Sequence, residues 1–307
     1  MVDMSVDLGG LAMRTPVATA SGTFGYGREY EGLVDYSALG AVTAKGVRMS
    51  PWPGNPAPRH VEVPGGMINA IGLQGPGAEH FVKWTLPRVR ALGVPVIANV
   101  WGGSAEEYAQ AAAILDAAEG VAAIEMNVSC PNVKEGGHTF GSSPQTLAAT
   151  VRAVRPAVRK PLIVKLAPNV PDFAPYLKAL EDEGADAVSM INTMPAMAID
   201  IEKRRPVLGN RTGGLSGRCI HPVAVKAVYD AHRASRLPIL AMGGVYGPED
   251  AIELMLAGAT AVAVGTATFT DPRTAERVAA GIAAYCGRHG FAAAREITGA
   301  LQEQDPC

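Results

Sequence analysis

Short apolar runs rich in Val, Ile and Ala alternate with alanine-rich stretches of helical length from residue 16 to about residue 285. This alternation predicts repeated βαβ units and therefore a parallel sheet. Eight such runs favour a closed (β/α)8 TIM barrel over an open doubly wound α/β sheet. The predicted strands are Pro16 to Ala20, Ala41 to Lys45, Val94 to Asn99, Ala122 to Asn127, Pro161 to Leu166, Ala187 to Ile191, Pro238 to Met242 and Ala261 to Val264.

Two connections between the predicted strands are too long to be simple turns. The first runs from Gly46 to about Gly75, and the second runs from Asn192 to Gly217. Long insertions at the carboxyl ends of barrel strands usually cover the active site, so we expect these two to form its roof. At the N-terminus, Leu8-Gly9-Gly10-Leu11 predicts a hairpin that closes the bottom of the barrel. No linker divides the chain, and we expect residues 1–307 to form a single barrel domain that binds a cofactor.

The composition argues against several classes of partner. Hydrophobic residues make up 48% of the chain and charged residues 18%, with a formal net charge of -2. These values describe an ordinary globular protein without a strong field of either sign, so neither nucleic acid nor an anionic membrane is expected to bind. The first residues show no export signal, and no apolar run approaches the roughly 18 residues of a membrane span. We therefore expect a cytoplasmic protein.

The four cysteines lie far apart in the sequence and form no C-x-x-C pair. This spacing argues for a reducing compartment and against a disulfide framework, so no zinc or iron-sulfur site is expected in the chain. One thiol stands out in the stretch Asn127-Val128-Ser129-Cys130-Pro131-Asn132, directly after a predicted buried strand and before a glycine-rich segment. A thiol at that place is positioned for chemistry. The alternative is that Cys130 is a small packed hydrophobe.

Polar residues stand at the carboxyl ends of five predicted strands. Buried apolar strands seldom end in this way, and in a barrel these ends converge, so we predict a ligand site there. Lysines at the ends of two strands would stabilise an anion that develops in the site. A Schiff-base lysine is the competing role. The five residues are Lys45, Asn99, Asn127, Lys165 and Asn192.

The last two predicted strands end in glycine instead, in Met242-Gly243-Gly244 and Val264-Gly265-Thr266. Backbone N–H groups after strands seven and eight are a common phosphate site of (β/α)8 enzymes, although glycine also serves tight turns. A phosphate site beside a polar lining and a thiol predicts a phosphate-bearing cofactor. Flavin mononucleotide (FMN) suits this arrangement because a nearby lysine would stabilise the reduced ring. A phosphosugar remains an equally open occupant at this point.

Seven motifs in order make the chain resemble the dihydroorotate dehydrogenase family over nearly its whole length. A cysteine at the position of the catalytic base resembles the soluble class 1 enzymes. Lys134, Gly136, Gly137 and Pro206-Val207-Leu208 resemble class 1B, the catalytic subunit that works with an electron-transfer subunit. The motifs are Ser21-Gly22-Thr23-Phe24-Gly25-Tyr26-Gly27, Asn69-Ala70-Ile71-Gly72-Leu73-Gln74, Asn127-Val128-Ser129-Cys130-Pro131-Asn132, Ile191-Asn192-Thr193, Thr212-Gly213-Gly214-Leu215-Ser216-Gly217, Met242-Gly243-Gly244 and Val264-Gly265-Thr266.

The resemblance implies two overlapping sets of ligand contacts and one catalytic residue, Cys130. The residues implied to hold FMN, one per chain, are Ser21, Lys45, Asn99, Asn127, Lys165, Ile191, Gly217, Gly243, Gly244, Gly265 and Thr266. The residues implied to hold dihydroorotate are Lys45, Asn69, Ala70, Ile71, Gly72, Leu73, Asn127, Asn132, Asn192 and Thr193. Carboxamides suit the ring amides of such a substrate, and a lysine suits its carboxylate.

The resemblance also implies a reaction in de novo pyrimidine (UMP) biosynthesis. Cys130, as a thiolate, would remove the C5 proton of dihydroorotate while hydride leaves C6 for the flavin, which gives orotate. Electrons would then pass to NAD+ through a partner subunit that holds FAD and a 2Fe-2S cluster. We expect a heterotetramer of two catalytic and two electron-transfer chains around a homodimer core. The chain itself shows neither a cluster motif nor a strand-linked G-x-G-x-x-G fingerprint.

Several alternatives stay open on the sequence alone. A class 1A homodimer would pass electrons to fumarate instead of NAD+. A phosphosugar aldolase or isomerase on the same barrel would use Lys45 or Lys165 covalently. A flavin-storing or scaffolding subunit would bind flavin without reacting with dihydroorotate. A dehydrogenase of dihydrouracil is disfavoured because that substrate offers no carboxylate to Lys45.

Overall fold

The computed structural model describes residues 2–129 and 140–302. Strands in these residues are short, and those of the central sheet are almost fully buried. In chain order they are β1 (Val6–Leu8), β2 (Leu11–Met13), β3 (Val17–Thr19), β4 (Ala41–Val47), β5 (His60–Val63), β6 (Gly66–Asn69), β7 (Val96–Val100), β8 (Val121–Asn127), β9 (Leu162–Lys165), β10 (Ala187–Met190), β11 (Met194–Ala196), β12 (Ile199–Asp200), β13 (Arg205–Pro206), β14 (Gly213–Ser216), β15 (Ile239–Met242) and β16 (Ala261–Val264).

Eight of the described strands form a closed parallel barrel in the order β3-β4-β7-β8-β9-β10-β15-β16, with β16 paired to β3. Their neighbours pair in parallel throughout. The predicted (β/α)8 barrel is confirmed, and each predicted strand lies within two residues of the observed bounds. Continuous apolar runs predicted the strands well because parallel barrel strands are buried on both faces.

Helices cover the outside of the barrel between its strands. One of them begins after Ser104, whose Oγ accepts a hydrogen bond from the Glu107 N–H as an N-cap. Among the described residues, no helix is both long enough and apolar enough to cross a membrane. The α-helices are Ala78–His80, Leu86–Arg90, Ala105–Ala117, Pro144–Val154, Ala174–Asp182, His221–Ala234, Pro248–Ala257 and Thr274–His289, with a π-helical turn at Phe81–Thr85. Shorter 3-10 turns are Arg28–Tyr30, Tyr36–Ala38, Arg155–Ala157, Arg218–Ile220, Thr266–Phe269 and Ala294–Ile297.

The predicted N-terminal hairpin closes the amino end of the barrel. Strands β1 and β2 pair antiparallel, with Leu8 opposite Leu11. The buried side chains of the hairpin pack against small residues at the starts of the barrel strands, including Ala41 and Ala187. Alanine at these positions leaves room for the leucines, so the hairpin fills the lower half of the barrel interior.

The two long insertions fold together into one antiparallel sheet of order β11-β14-β6-β5. Strands β5 and β6 come from the first insertion, and β11 and β14 come from the second. Residue pairs Gly214 with Asn69 and Ser216 with Met67 join the two insertions. Ile68 of this sheet forms a small apolar cluster with Ala70 and Leu208, which also come from the two insertions. We call this four-stranded sheet the roof, since its residues line the cavity described below.

Substitutions in the hairpin turn test how closely the turn packs against the barrel. Gly9 has φ +61°, and a Cβ on it would lie 2.2 Å from the backbone oxygen of Asp186. Gly10 has φ +91°, but its Cβ would meet only Pro161, at 3.5 Å. Both substitutions to alanine carry the cost of a left-handed residue, about 1–2 kcal/mol. We expect Gly9→Ala to lower the free energy of unfolding by at least about 2 kcal/mol more than Gly10→Ala.

Urea unfolding of the two variants measures this difference. Equal losses of stability in the two variants would show that the turn does not pack closely against the loop before β10.

Candidate active site

A cavity of about 460 Å3 lies at the carboxyl ends of the barrel strands, and residues of the roof also line it. This volume is within the usual range for sites of small molecules and cofactors. The residues around it come from all eight barrel strands or the loops after them, and from both insertions. The cavity therefore has the place that catalytic sites occupy in this kind of barrel.

The structure brings the residues of both predicted ligand sets to this one cavity. All eleven residues of the predicted FMN set line it: Ser21, Lys45, Asn99, Asn127, Lys165, Ile191, Gly217, Gly243, Gly244, Gly265 and Thr266. From the predicted dihydroorotate set, the cavity wall includes Lys45, Asn69, Ile71, Gly72, Leu73, Asn127, Asn192 and Thr193. Ala70 does not line the cavity and is buried in the roof. Cys130 and Asn132 lie outside the described residues. The roles of all these residues stay predictions.

The floor of the cavity rests on a buried network around the carboxylate of Glu125. Glu125 Oε1 accepts a hydrogen bond from Asn99 Nδ2 at 2.5 Å, and its Oε2 accepts one from Ser189 Oγ at 2.7 Å. The ammonium of Lys165 lies 3.9 Å from Oε1 and 3.4 Å from Ser21 Oγ. Hydrogen bonds and a cation thus compensate a carboxylate that has no exposure to solvent.

Lys45 is the second cation of the cavity, at the end of β4. Burial is the main cause that lowers the pKa of its ammonium, and the positive charge of Arg59 lowers it further, whereas Glu29 acts in the opposite direction. A half-buried cation of this kind is stabilised when an anion binds beside it. Lys45 therefore favours a ligand with a negative group near the roof.

Carboxamides at the ends of β8 and β10, the two strands that flank β9, form a second network. Asn192 Nδ2 donates to Asn127 Oδ1 at 3.3 Å and to Ser129 Oγ at 3.0 Å. Ser129 Oγ donates to the backbone oxygen of Lys165 at 2.9 Å. Tyr108 Oη donates to the backbone oxygen of Asn127 at 2.6 Å, which holds the end of β8 from the outer side. The amides that face the cavity are therefore held in place by protein contacts before any ligand binds.

Ser129 is the last described residue before Cys130, and the chain is described again from Phe140. The two ends of the intervening segment lie close together, because a Cβ on Gly141 would be 2.7 Å from the backbone oxygen of Val128. Phe140 packs edge to face against Tyr108, with ring centroids 5.4 Å apart. Tyr108 therefore contacts both ends of the segment that carries Cys130 and Asn132.

The glycines after β15 and β16 form the opposite side of the cavity. Gly243 and Gly244 have φ of +130° and +70°, and a Cβ on Gly244 would lie 2.6 Å from the Cβ of His221. The His221 ring contacts the Gly243 carbonyl oxygen at 2.9 Å and Glu253 at 3.0 Å. A side chain at position 244 would displace the backbone, so glycine is required where the chain passes the cavity.

Sequence reasoning missed several residues of the site. Glu125 was hidden within an apolar run, although a charged residue two positions before Asn127 on the same strand face was an available signal. Ser216, which accepts a hydrogen bond from Thr266 Oγ1 at 2.8 Å, lies in the motif from Thr212 to Gly217, of which only Gly217 was predicted as a ligand contact. The other missed residues that line the cavity include His60, Met67, Tyr246 and Phe269.

Comparisons with known proteins agree in one family. Residues 3–285 match the family described as dihydroorotate dehydrogenase. A Geobacter sp. (strain M21) protein named dihydroorotate dehydrogenase B (NAD(+)), catalytic subunit, is 51% identical over 300 residues, which cover 98% of each chain. The protein of the same name from Geobacter sulfurreducens is 50% identical, with 98% of each chain covered. In fold, the chain is similar to the crystal structure of DHODH from Eimeria tenella in complex with ferulenol, with a TM-score of 0.82 and 21% identity over 97% of this chain and 88% of the other.

Proposed function

This chain belongs to the dihydroorotate dehydrogenase family, and from that premise we propose that it oxidises dihydroorotate to orotate in de novo pyrimidine biosynthesis. The observation that carries the proposal is the single cavity at the strand ends. It gathers a polar floor, a half-buried lysine beneath the roof and a glycine-rich edge. The relatives that match the chain over nearly its whole length carry a name for this reaction.

Dihydroorotate dehydrogenases are flavin enzymes, and the residues of the cavity suit FMN. Asn99 Oδ1 is buried and has no hydrogen-bond partner among the described residues, so it is available to an N–H group of the flavin ring. The backbone at Gly243, Gly244 and Gly265 suits a phosphate group, because no side chain separates it from the cavity. The remaining residues of the predicted FMN set would line the bound cofactor. We propose one FMN per chain.

Dihydroorotate would lie between the flavin and the roof. Lys45 would bind its carboxylate, while Asn69, Asn127 and Asn192 would bind the ring amides, since a carboxamide both donates and accepts hydrogen bonds. Backbone groups of Ile71, Gly72 and Leu73, with Thr193, would complete the contacts, together with Asn132. The Asn192 amide is already held by Asn127 and Ser129, which supports a fixed orientation for the substrate.

The proposed mechanism breaks two C–H bonds and forms the C5–C6 double bond of orotate. Bound FMN supplies the hydride acceptor for C6. Cys130, in its thiolate form, takes the C5 proton. Ser129 is hydrogen-bonded to the Lys165 backbone and to Asn192, which lines the cavity, so the residue before Cys130 is held in place. Lys165, which lines the cavity, would hold a positive charge close to where negative charge develops.

The names of the relatives describe a catalytic subunit of an NAD(+)-linked enzyme, so a further subunit works with it. We propose that FAD and a 2Fe-2S cluster of this partner carry electrons from FMN to NAD+. The assembly would be a cytoplasmic heterotetramer of two catalytic and two electron-transfer chains around a homodimer of the catalytic chain. The single barrel domain over residues 1–307 also stays a proposal.

Anaerobic addition of dihydroorotate to the FMN-loaded protein tests the first half-reaction. We expect the flavin absorbance to bleach, and the colour to return with NAD+ only when the electron-transfer partner is present. Return of the colour with fumarate alone would assign the chain to the homodimeric class. A flavin that stays oxidised under these conditions contradicts the proposed substrate.

The variant Cys130→Ser tests whether Cys130 is the base that removes the C5 proton. A serine hydroxyl is a far weaker source of an anionic base than a thiol at neutral pH, so we expect flavin reduction by dihydroorotate to slow by about 10²–10⁴-fold. FMN content should not change. Stopped-flow measurement of flavin bleaching gives the rate, and Cys219→Ser, at an exposed cysteine, is the control. A wild-type rate for Cys130→Ser at pH 7 would remove Cys130 from this role.

Lys45 predicts a pH dependence of orotate binding. Because burial lowers its pKa below the ordinary 10.5, the ammonium of the ligand-free site loses its proton at a lower pH than a free lysine does. A bound carboxylate raises that pKa again. Orotate should therefore bind with its full affinity below the lowered pKa of Lys45. The affinity should decrease as the pH rises through that pKa.

Lys45→Arg provides the comparison, because a guanidinium stays charged over the whole range. Dissociation constants for orotate, measured from the flavin spectrum between about pH 6 and about pH 10, should diverge between the two proteins at alkaline pH. Titration of orotate itself affects both proteins, so the ratio of the two constants is the readout. A constant ratio would show that Lys45 does not bind the carboxylate.

A further inference from the structure

The barrel interior changes from apolar to polar at one level. Side chains alternate along a strand, so the inward-facing residues of β8 include Ala123, Glu125 and Asn127 in succession. Ala123 packs with the N-terminal hairpin, and Asn127 lines the cavity. Glu125 lies between them, fully buried and outside the group of residues that line the cavity. The Glu125 carboxylate therefore lies one layer of side chains below the residues that line the cavity, where a ligand cannot contact it.

The residues that contact this carboxylate come from β7 and β9, which flank β8, and from β10, which follows β9 in the barrel. Asn99 on β7 and Ser189 on β10 donate hydrogen bonds to its two oxygens, and Lys165 on β9 lies within ion-pair distance. The four strands β7 to β10 are adjacent in the barrel. A buried charge costs stability unless it is hydrogen-bonded and paired, and here both conditions are met.

The carboxylate also fixes the orientation of the Asn99 amide. A carboxylate accepts hydrogen bonds and donates none, so Asn99 must turn its Nδ2 toward Glu125. The Asn99 Oδ1 is then left as a buried acceptor without a partner among the described residues. A Cβ on Gly46 would lie 3.0 Å from this oxygen, so glycine at that position keeps the space beside it open.

The charge of Glu125 acts on the cavity together with that of Lys165. Lys165 lines the cavity and Glu125 lies beneath it, so a bound group is nearer to the cation than to the anion. Negative charge on the ligand is attracted by Lys165 and repelled more weakly by Glu125. Removal of the carboxylate would leave the attraction without this opposing contribution.

This inference rests on the flavin function proposed above: we propose that Glu125 is a positioning residue that fixes Asn99 Oδ1 as an acceptor for FMN and offsets the charge of Lys165. It acts through these two residues and touches neither FMN nor substrate. Glu125 therefore sets both the affinity for FMN and the midpoint potential of the bound flavin.

Glu125→Gln tests this role, because glutamine has nearly the same volume but no charge and can both donate and accept. We expect FMN to bind at least about tenfold more weakly, since Asn99 is no longer held in one orientation. The midpoint potential should rise, because the reduced flavin carries more negative charge than the oxidised flavin. Each tenfold gain in the binding of reduced relative to oxidised FMN corresponds to about 30 mV for a two-electron couple.

Ser189→Ala is the matched control. It removes one hydrogen bond from the same carboxylate but keeps the charge and the contact with Asn99, and Ser189 does not line the cavity. We expect a lower melting temperature, FMN affinity within about twofold of wild type, and a wild-type potential. Potentials are measured against reference dyes with a chemical reductant, so they do not depend on reaction with dihydroorotate.

A wild-type potential in Glu125→Gln overturns the proposal, and so does an equal shift in Ser189→Ala, which would trace the effect to packing. If Glu125→Gln does not fold, Lys165→Gln and the double variant Lys165→Gln/Glu125→Gln provide the same comparison without an unpaired buried lysine. A higher potential in the double variant supports the role, and equal potentials overturn it. Failure of dihydroorotate to bleach the wild-type flavin would count against the proposed substrate and leave the result for Glu125 intact.

Discussion

Closure of the parallel barrel is the constraint on which the rest of the structure depends. The pairing of β16 with β3 brings the carboxyl ends of all eight barrel strands to one rim. Because every second side chain of a closed barrel points inward, a residue near a strand end faces its counterparts across the axis. Lys45 and Lys165, far apart in the sequence, line one cavity for this reason.

The N-terminal hairpin determines what the inside of this barrel can hold. Its leucines fill the amino end together with small residues, so space for a ligand remains only at the carboxyl end. The same packing separates Glu125 from solvent on its lower side. In such surroundings hydrogen bonds and charges act more strongly than in water, which makes the Glu125 network a firm support for the cavity floor.

Much of this architecture could be predicted from the sequence, because the information is local. Each barrel strand is a short, continuous apolar run with a polar or glycine end, and the cavity follows from the convergence of those ends. The roof could not be predicted in detail, since pairs such as Gly214 with Asn69 join segments that are distant in the chain and have no periodic pattern. Glu125 was missed for a related reason, because one charged residue in an apolar run does not show which neighbours compensate it.

The roof depends on contacts with the barrel as well as on its own pairing. The guanidinium of Arg48, at the start of the first insertion, lies 4.8 Å from the ring centres of both Trp52 and Trp101 and forms an ion pair with Glu107. Trp52 also pairs with Gly75 across the base of the insertion. These contacts join both ends of the insertion to the loop after β7, so the segment that carries Asn69 to Leu73 is held over the cavity.

At the level of Glu125, the residues that would best stabilise the barrel interior differ from those that a ligand site requires. Apolar residues of similar volume often stabilise a core at least as well as a buried ion pair does. The level below, with Ala123, Ile163 and Ala187, shows that these strands accept an apolar filling. An apolar residue in place of Glu125 would nevertheless leave the Asn99 amide and the Lys165 ammonium without the carboxylate that orients them. Polar residues at this single level are therefore best explained by the ligand above them.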